Sequence, residues 1–414
     1  MKKTLKAITG LTAIATLLVL SLQMNGCKPQ ENPSLYDPNW KSLPQPVVDS
    51  LSPAGSALAG IDTITIYGKN FSANKDSDGV YFNLTLISGP SIINASSNRL
   101  LVKAPTISGD TIQVRVFVIG AVGFSNTFNY GLVPAISAFS KLASGEAAYA
   151  ICAGADSNLY VSLSNPNLSG TKDEGIFSVT SDGTRSAQYA FPSLAGNVYW
   201  AALAFGPNGY LYAAKGVRAV YRFAPGGTSN AQVWASATSA SFSDMDFDPN
   251  HTLWVGGNNQ NIYRIMPDAS VKGFPFSGNV RSIRYYNGYL YFAANVGTAP
   301  SQVFRAPIVN DSLGTPQPYF DLSSDATGGT NIYAITFSSD GIMYAGTDSS
   351  DYLIVVHPGG FFERPYSPYV AKGVLNSPCK SFAWIGTNLY ATTSAGQLLK
   401  IVARKQSAPY YGIQ

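Results

Sequence analysis

Between residues 47 and 130 apolar and polar positions alternate with a period of two, in short bursts at 47–51, 61–68, 79–82, 99–103, 112–118 and 125–130. Alternation puts every second side chain on one face of an extended chain, so each burst reads as a half-buried strand. Gly, Pro, Ser and Asn separate the bursts. Six or seven such strands in about 85 residues predict a small antiparallel sandwich.

Past Pro134 the pattern repeats itself. A short apolar strand runs into a turn and then into a strand ending in an aromatic, at Asp156-Ser157-Asn158-Leu159-Tyr160, Gly206-Pro207-Asn208-Gly209-Tyr210-Leu211-Tyr212, Asp248-Pro249-Asn250-His251-Thr252-Leu253-Trp254, Asn287-Gly288-Tyr289-Leu290-Tyr291, Ser339-Asp340-Gly341-Ile342-Met343-Tyr344 and Gly386-Thr387-Asn388-Leu389-Tyr390. The aromatics are about 37 to 53 residues apart, the range for blades of four strands, and six cycles predict six blades. Third strands follow at 175–179, 220–223, 262–265, 302–305, 352–356 and 398–401. The sixth blade then runs out of chain near Ala403, whereas residues 135–140 sit ahead of the first inner strand as 188–191 and 232–234 sit ahead of later ones. Residues 135–140 are therefore expected to close the ring as the fourth strand of blade six, leaving no open edge.

Two resemblances sharpen this all-β reading. Leu51-Ser52-Pro53-Ala54-Gly55, Ile64-Thr65-Ile66-Tyr67-Gly68-Lys69-Asn70-Phe71, Val102-Lys103-Ala104-Pro105, Gly123-Phe124-Ser125-Asn126 and Phe128-Asn129-Tyr130 resemble an IPT/TIG domain, which implies an immunoglobulin-like fold over 45–132. In that pattern Gly68 is expected to let the strand turn sharply and Phe71 to plug the end of the sandwich. The hairpins of 134–414 resemble NHL-type propellers and, more distantly, gluconolactonase-like ones. This resemblance specifies architecture rather than activity.

The N-terminus changes the picture of where the chain works. Lys2, Lys3 and Lys6 precede an apolar run over 8–22, as in a secretory signal. At about 15 residues the run is short of the roughly 20 that span a bilayer as a helix. Leu22-Gln23-Met24-Asn25-Gly26-Cys27 resembles a bacterial lipobox, which implies cleavage after residue 26 and a diacylated Cys27. Acyl chains at about 0.8 kcal/mol per buried methylene would then hold the protein on a membrane. Polar, proline-rich residues over 27–44 read as a tether. Lys28 beside Cys27, by resemblance to the usual sorting rule, implies transport to the outer membrane.

Loss of the three signal lysines lowers the formal charge from +4 by three, to +1, so there is no basic footprint for nucleic acid. With Cys27 assigned to lipid, Cys152 and Cys379 remain. They fall on adjoining blades once the ring closes but about four residues out of step, or roughly 13 Å along the strands, beyond the reach of a disulfide. Both are expected as free thiols.

Catalytic chemistry is sparse. The two histidines, His251 and His357, fall in turns, and no nucleophile elbow, His-Glu-x-x-His or phosphate loop is present. Alignment of the inner strands on the following turn points Ala150 and Cys152, Ala202 and Ala204, Asp244 and Asp246, Ser282 and Arg284, Ala334 and Thr336, and Ser381 and Ala383 at the axis. Asp244, Asp246 and Arg284 can form an internal ion pair or a ligand site. Gluconolactonase-like propellers hold a divalent metal with acidic and amide side chains from several blades, whereas here one blade supplies the acids, and no metal or other cofactor is expected. Tyr149, Tyr199, Trp200, Arg281, Tyr333 and Lys380, just ahead of the inner strands, are candidates for a channel mouth. Aromatic platforms edged with polar groups suit sugar rings or extended peptides, and packing of the blade tops is the alternative. Asn74-Lys75-Asp76-Ser77-Asp78-Gly79 begins like a calcium loop but has Thr85 where the bidentate acid belongs, which favours an ordinary turn.

The expected protein is a lipid-anchored envelope binding protein without catalysis, presenting a propeller to a glycan or a protein. A propeller lactonase or lyase, or a scaffold in an envelope complex, are the alternatives.

Overall fold

A computed structural model describes residues 41–165, 173–192, 199–216, 218–227, 230–238, 240–322, 330–371 and 373–411. The expected signal peptide, Cys27 and most of the tether lie outside the described residues.

The sandwich is built as the alternation requires. Val47–Ser52, Thr63–Lys69, Arg99–Lys103 and Ile92–Ser96 form one sheet in that order, and Ser56–Leu58, Phe128–Val133, Gly109–Val118, Asp78–Phe82 and Thr85–Ser88 form the other. Ile64 and Ile66 point inward between exposed Thr63 and Tyr67, and meet Val80, Phe82, Val114, Val116 and Tyr130 from the facing sheet. The Asn126 side chain accepts from Val48 N at 2.8 Å and donates to Val48 O at 2.9 Å, which fixes the first strand to the loop before the last. Leu43 already pairs with Ala121. Phe71 plugs the core as expected, but the left-handed residue is Asn70, at φ 61°. Gly68 serves instead for close approach, because a Cβ there would lie 2.0 Å from Val47 O and 2.4 Å from Phe71 Cζ.

Six blades follow. Blade one holds Ala147–Ala153, Leu159–Ser164 and Asp173–Val179, and blade two Ala202–Phe205, Leu211–Ala214, Ala219–Phe223 and Gln232–Ser236. In blades three and four two long extended runs each serve twice. Leu253–Ile265 pairs with Phe242–Phe247 through its first part and with Val271–Tyr286 through its second, and the end of Val271–Tyr286 pairs with Tyr289–Asn295. Gln302–Val309 and Gln317–Phe320 complete blade four. Blade five is Ile332–Phe337, Met343–Thr347, Leu353–Val356 and Phe362–Glu363. The outer edge of blade one departs from expectation, with single bridges Ile176–Phe191 and Val179–Arg185 in place of a regular strand at 188–191.

One backbone requirement explains the repeated turn motif. Ser157, Gly209, His251 and Gly341 occupy the equivalent place in four of the turns, Asn287-Gly288 and Gly386 lie in the tighter two-residue turns of blades four and six, and all have φ between 47° and 83°. Asn, Gly and Asp enter this left-handed region at low cost, so the turns are rich in them. His251 is thus a turn residue, and His357 Nε2 lies 3.1 Å from Glu363 Oε1.

The ring closes as the sequence predicts. Cys379–Ile385, Asn388–Thr393 and Leu398–Ile401 take Ile136–Ala138 as their outermost strand, antiparallel, with Ile136 opposite Ile401. Beyond Ile401 the chain does what no pattern announced and turns back beneath the ring. Ser407 bridges Ser338, Ala408 N donates to Phe337 O at 3.0 Å, and Tyr410 reaches Thr336. Arg404 Nη1 meets Asp62 Oδ2 of the sandwich at 2.7 Å.

Cys152 and Cys379 are both free and buried. Burial raises both thiol pKa values, that of Cys379 to about 12, which suppresses the reactive thiolate. Neither should react with a thiol reagent in the folded protein, whereas both should react once it is unfolded without reductant. Titration of the mature protein with a chromogenic disulfide reagent checks this, and rapid labelling of the native state would contradict it.

Candidate functional site

The inner strands all start at one end of the axis. Residues at the mouth end of their axial segments, Tyr149, Ala201, Ser243, Arg281, Tyr333 and Lys380, surround a cavity of about 330 Å³ together with Tyr199, Asn279, Thr393 and Ser394. Later residues of the same strands, at 151–153, 203–205, 245–247 and 382–384 with Arg284, line a second cavity of about 340 Å³. The two cavities therefore occupy opposite ends of the axis. The second is walled on one side by residues 407–410 of the returning tail.

At the mouth, the Tyr149 and Tyr199 rings stack with centroids 3.6 Å apart and planes 15° from parallel. Tyr199 is 39% exposed. Across the cavity, Tyr333 carries two cations near its ring, Arg281 Cζ at 4.5 Å and Lys380 Nζ at 4.0 Å from the centroid. Tyr333 is held by its hydroxyl, which donates to Asp348 Oδ2 at 3.2 Å, and Arg281 by its Nε, which donates to Asn295 Oδ1 at 2.5 Å. Partial burial, and then the charge of Arg281, push the Lys380 ammonium below its ordinary pKa, with Asp348 opposing them.

Five of the six residues expected at the mouth line this cavity. Trp200 is the exception and corrects the expectation: it is 0% exposed and packs between blades against Tyr221 and Phe223, with ring centroids 5.5 and 5.6 Å away. In extended chain neighbours point to opposite faces, so if Tyr199 and Ala201 face the mouth Trp200 cannot. Asn279, Asn295 and Asp348 were not among the expected residues. They are legible through the hairpin register, because Asn279 pairs with Asn295 and the strand carrying Tyr333 pairs with the strand ending at Thr347.

Deeper in the channel, Asp244 and Arg284 form an ion pair. Arg284 Nη1 donates to Asp244 Oδ2 at 2.8 Å, and the same oxygen accepts from Ser282 Oγ at 2.8 Å and Ile283 N at 3.0 Å. Asp246 Oδ2 accepts from Tyr285 N at 2.8 Å. Asp246 and Arg284 are each 8% exposed. Desolvation raises the Asp246 carboxyl to about 7, against the attraction of Arg284. Ser282 Oγ also accepts from Ile335 N at 3.1 Å, and Ser381 Oγ from Ile151 N at 3.2 Å, so small polar groups near the axis join neighbouring blades. Nearby, the Tyr410 and Thr336 hydroxyls lie 2.6 Å apart, and Trp384 Nε1 donates to Thr336 at 2.9 Å. Tyr410 was missed in the sequence, where it is one aromatic in a short polar tail.

These side chains do not fit a divalent cation held from several blades, because the axial acids come from blade three alone and are committed to Arg284 and to backbone amides. Among the described residues no group of three or more His, Cys, Asp or Glu stands close enough to share a metal. In the sandwich, Asp78 turns inward at 2% exposure and accepts from Ser72 N at 3.0 Å, while Asn74 caps Asp76 N at 3.1 Å. Burial raises the Asp78 carboxyl to about 6. That loop forms an Asx-capped turn.

A family model described as IPT/TIG domain matches residues 46–130. Those residues are an IPT/TIG domain. Among solved structures the chain is similar to an auxiliary nutrient binding protein from Bacteroides thetaiotaomicron, with TM-score 0.50 and 10% identity over 88% of this chain and 98% of that one. It is also similar to a luciferin-regenerating enzyme, with TM-score 0.50 and 12% identity over 67% of this chain and 99% of that one. No curated protein matches the sequence. At such identities the likeness shows the fold alone: an IPT/TIG immunoglobulin-like domain followed by a β-propeller.

Proposed function

We propose that the protein is a lipid-anchored binding protein of the cell envelope, in which the IPT/TIG domain stands between membrane and propeller and the propeller mouth holds a glycan. The observation that carries this reading is the mouth itself, a cavity of about 330 Å³ lined by Tyr149, Tyr199 and Tyr333 with Arg281, Lys380 and neutral polar groups. It lies within the size range of ligand pockets, roughly 300–1,000 Å³. Ring faces pack on the C–H faces of a sugar while polar edges set its orientation. The described residues lining the mouth include no carboxylate, histidine or cysteine that would serve as general base or nucleophile, which favours binding over turnover. An auxiliary nutrient binding protein of similar fold is in keeping with such a role.

Calorimetric titration of the mature protein with a panel of oligosaccharides tests the reading. At least one glycan should bind, and Tyr199→Ala should weaken it about tenfold, a little over 1 kcal/mol for a lost aromatic platform. Failure of every glycan to bind, or binding indifferent to Tyr199, would place the function elsewhere.

Anchoring has its own test. Cys27→Ala should leave an unprocessed precursor, or a processed protein that no longer partitions into detergent, because the acyl chains supply the membrane affinity. A cleaved Cys27→Ala protein that still enters the detergent phase would remove the lipid from the account.

A further inference from the structure

At the mouth two cations lie against the ring of Tyr333. Five other cations meet carboxylates: Arg185 with Glu146, Arg284 with Asp244, Arg364 with Asp351, Arg404 with Asp62 and Lys405 with Asp340. Among the described residues Arg281 and Lys380 form no such ion pair. Both are drawn to one ring, within 4.5 Å of the Tyr333 centroid, and Arg281 otherwise donates to the neutral Asn295. The nearby acid, Asp348, has no ion pair with either among the described residues and accepts from neutral donors instead: its Oδ1 accepts from Asn331 N at 2.6 Å, and its Oδ2 from Asn331 Nδ2 at 3.0 Å and Tyr333 OH at 3.2 Å. Two like charges held against one ring in a concave, half-buried site repel each other and draw in a counter-ion. An anion seated between them would relieve that repulsion.

We propose that the mouth recognises an acidic glycan, a sugar polymer bearing carboxylate or sulfate groups, with a pyranose ring on the Tyr149–Tyr199 stack and its anion between Arg281 and Lys380. The proposal rests on reading the mouth as a glycan site and adds the charge of the sugar. A neutral sugar of the same shape would cover the two cations without pairing them, and the cost of stripping their water makes the site selective.

Matched pairs of probes separate this proposal from the reading beneath it. The mature protein is titrated with oligogalacturonate and its methyl ester, and with dextran sulfate and dextran, at low and high salt. One or both anions should bind at least tenfold more tightly than the neutral partner, with affinity falling as salt rises, and the arm that binds identifies carboxylate or sulfate. Lys380→Gln and Arg281→Gln should each weaken binding about fivefold or more, the upper end for a solvent-accessible charge pair. Lys380→Arg should retain it, and Lys103→Gln, on the sandwich, should leave it unchanged. Lys380 is exposed and forms no ion pair among the described residues, so its variant tests recognition without threatening the fold. Equal binding of charged and neutral partners, weakened by Tyr199→Ala but indifferent to Lys380→Gln, would overturn the acidic class and leave the glycan site standing. Acid binding that ignores Tyr199, Arg281 and Lys380 alike would be adventitious polyanion association and would overturn the proposal. Binding of none of the four probes would overturn it together with the glycan reading.

Discussion

A chain that begins at residue 142 is expected to unfold at a much lower temperature than one that begins at residue 131, or to aggregate. The two differ by the strand Ile136–Ala138 and its flanks, which cover the edge of Leu398–Ile401. Ala135 and Ile136 are 0% and 2% exposed and pack with Leu389, Leu399 and Ile401, while Phe139 lies edge-on to Tyr390 with centroids 4.6 Å apart. Without them blade six presents unpaired backbone amides and an apolar row to solvent. Phe139→Ala alone should cost about 3–5 kcal/mol, the usual range for truncating a buried aromatic. The shorter deletion removes the sandwich, with it the packing of Ile61 on the propeller and the Asp62–Arg404 ion pair, but no strand of the ring. Because the closing strand joins residues more than 260 positions apart, opening it should also broaden the transition. Equal melting temperatures and equal cooperativity for the two chains would refute closure as the source of stability.

Replacing Asp244 by alanine should destabilise the propeller by about 3–5 kcal/mol at neutral pH, the range for breaking a buried ion pair from one side. The loss strands the Arg284 guanidinium in the channel and leaves Ser282 Oγ and Ile283 N without their acceptor. Replacing both Asp244 and Arg284 by apolar residues of similar volume should cost markedly less than removing either alone, and a double-mutant cycle in denaturant measures the difference. Asp246 adds a pH dependence of definite sign. The folded protein holds the Asp246 proton more tightly than the unfolded chain, with a pKa of about 7 against an ordinary 3.8. Its contribution to stability is therefore full below pH 3.8 and is lost as pH rises through 7. Asp246→Asn should flatten the fall in unfolding free energy across that window. An unchanged slope would show that desolvation of this carboxyl does not act on stability.

How far the sequence reached can be judged from particular residues. The alternation at 61–68 and 112–118 gave the sandwich, because a strand with one buried face writes its burial into the sequence at every second position. The six turn motifs gave the blade count, because each of these hairpins needs a left-handed residue in its turn. Closure through residues 135–140 was legible from an unfilled position in a repeat. Axial placement of Asp244, Asp246 and Arg284 followed from counting along strands whose turns fix their register.

What the sequence by itself determined, then, is everything set by local periodicity: all-β architecture, two domains, six blades and the end of each inner strand that faces the mouth. Tertiary structure decided what depends on groups far apart in the chain. Tyr199 reaches its partner Tyr149 in a stack that exists only because two neighbouring blades bring their strand ends together. The convergence of Arg281 and Lys380 on Tyr333 likewise needs three blades in their final places. The return of residues 402–411 beneath the ring has no periodicity to betray it, since a short tail gains its contacts only from a surface that the closed propeller has already formed.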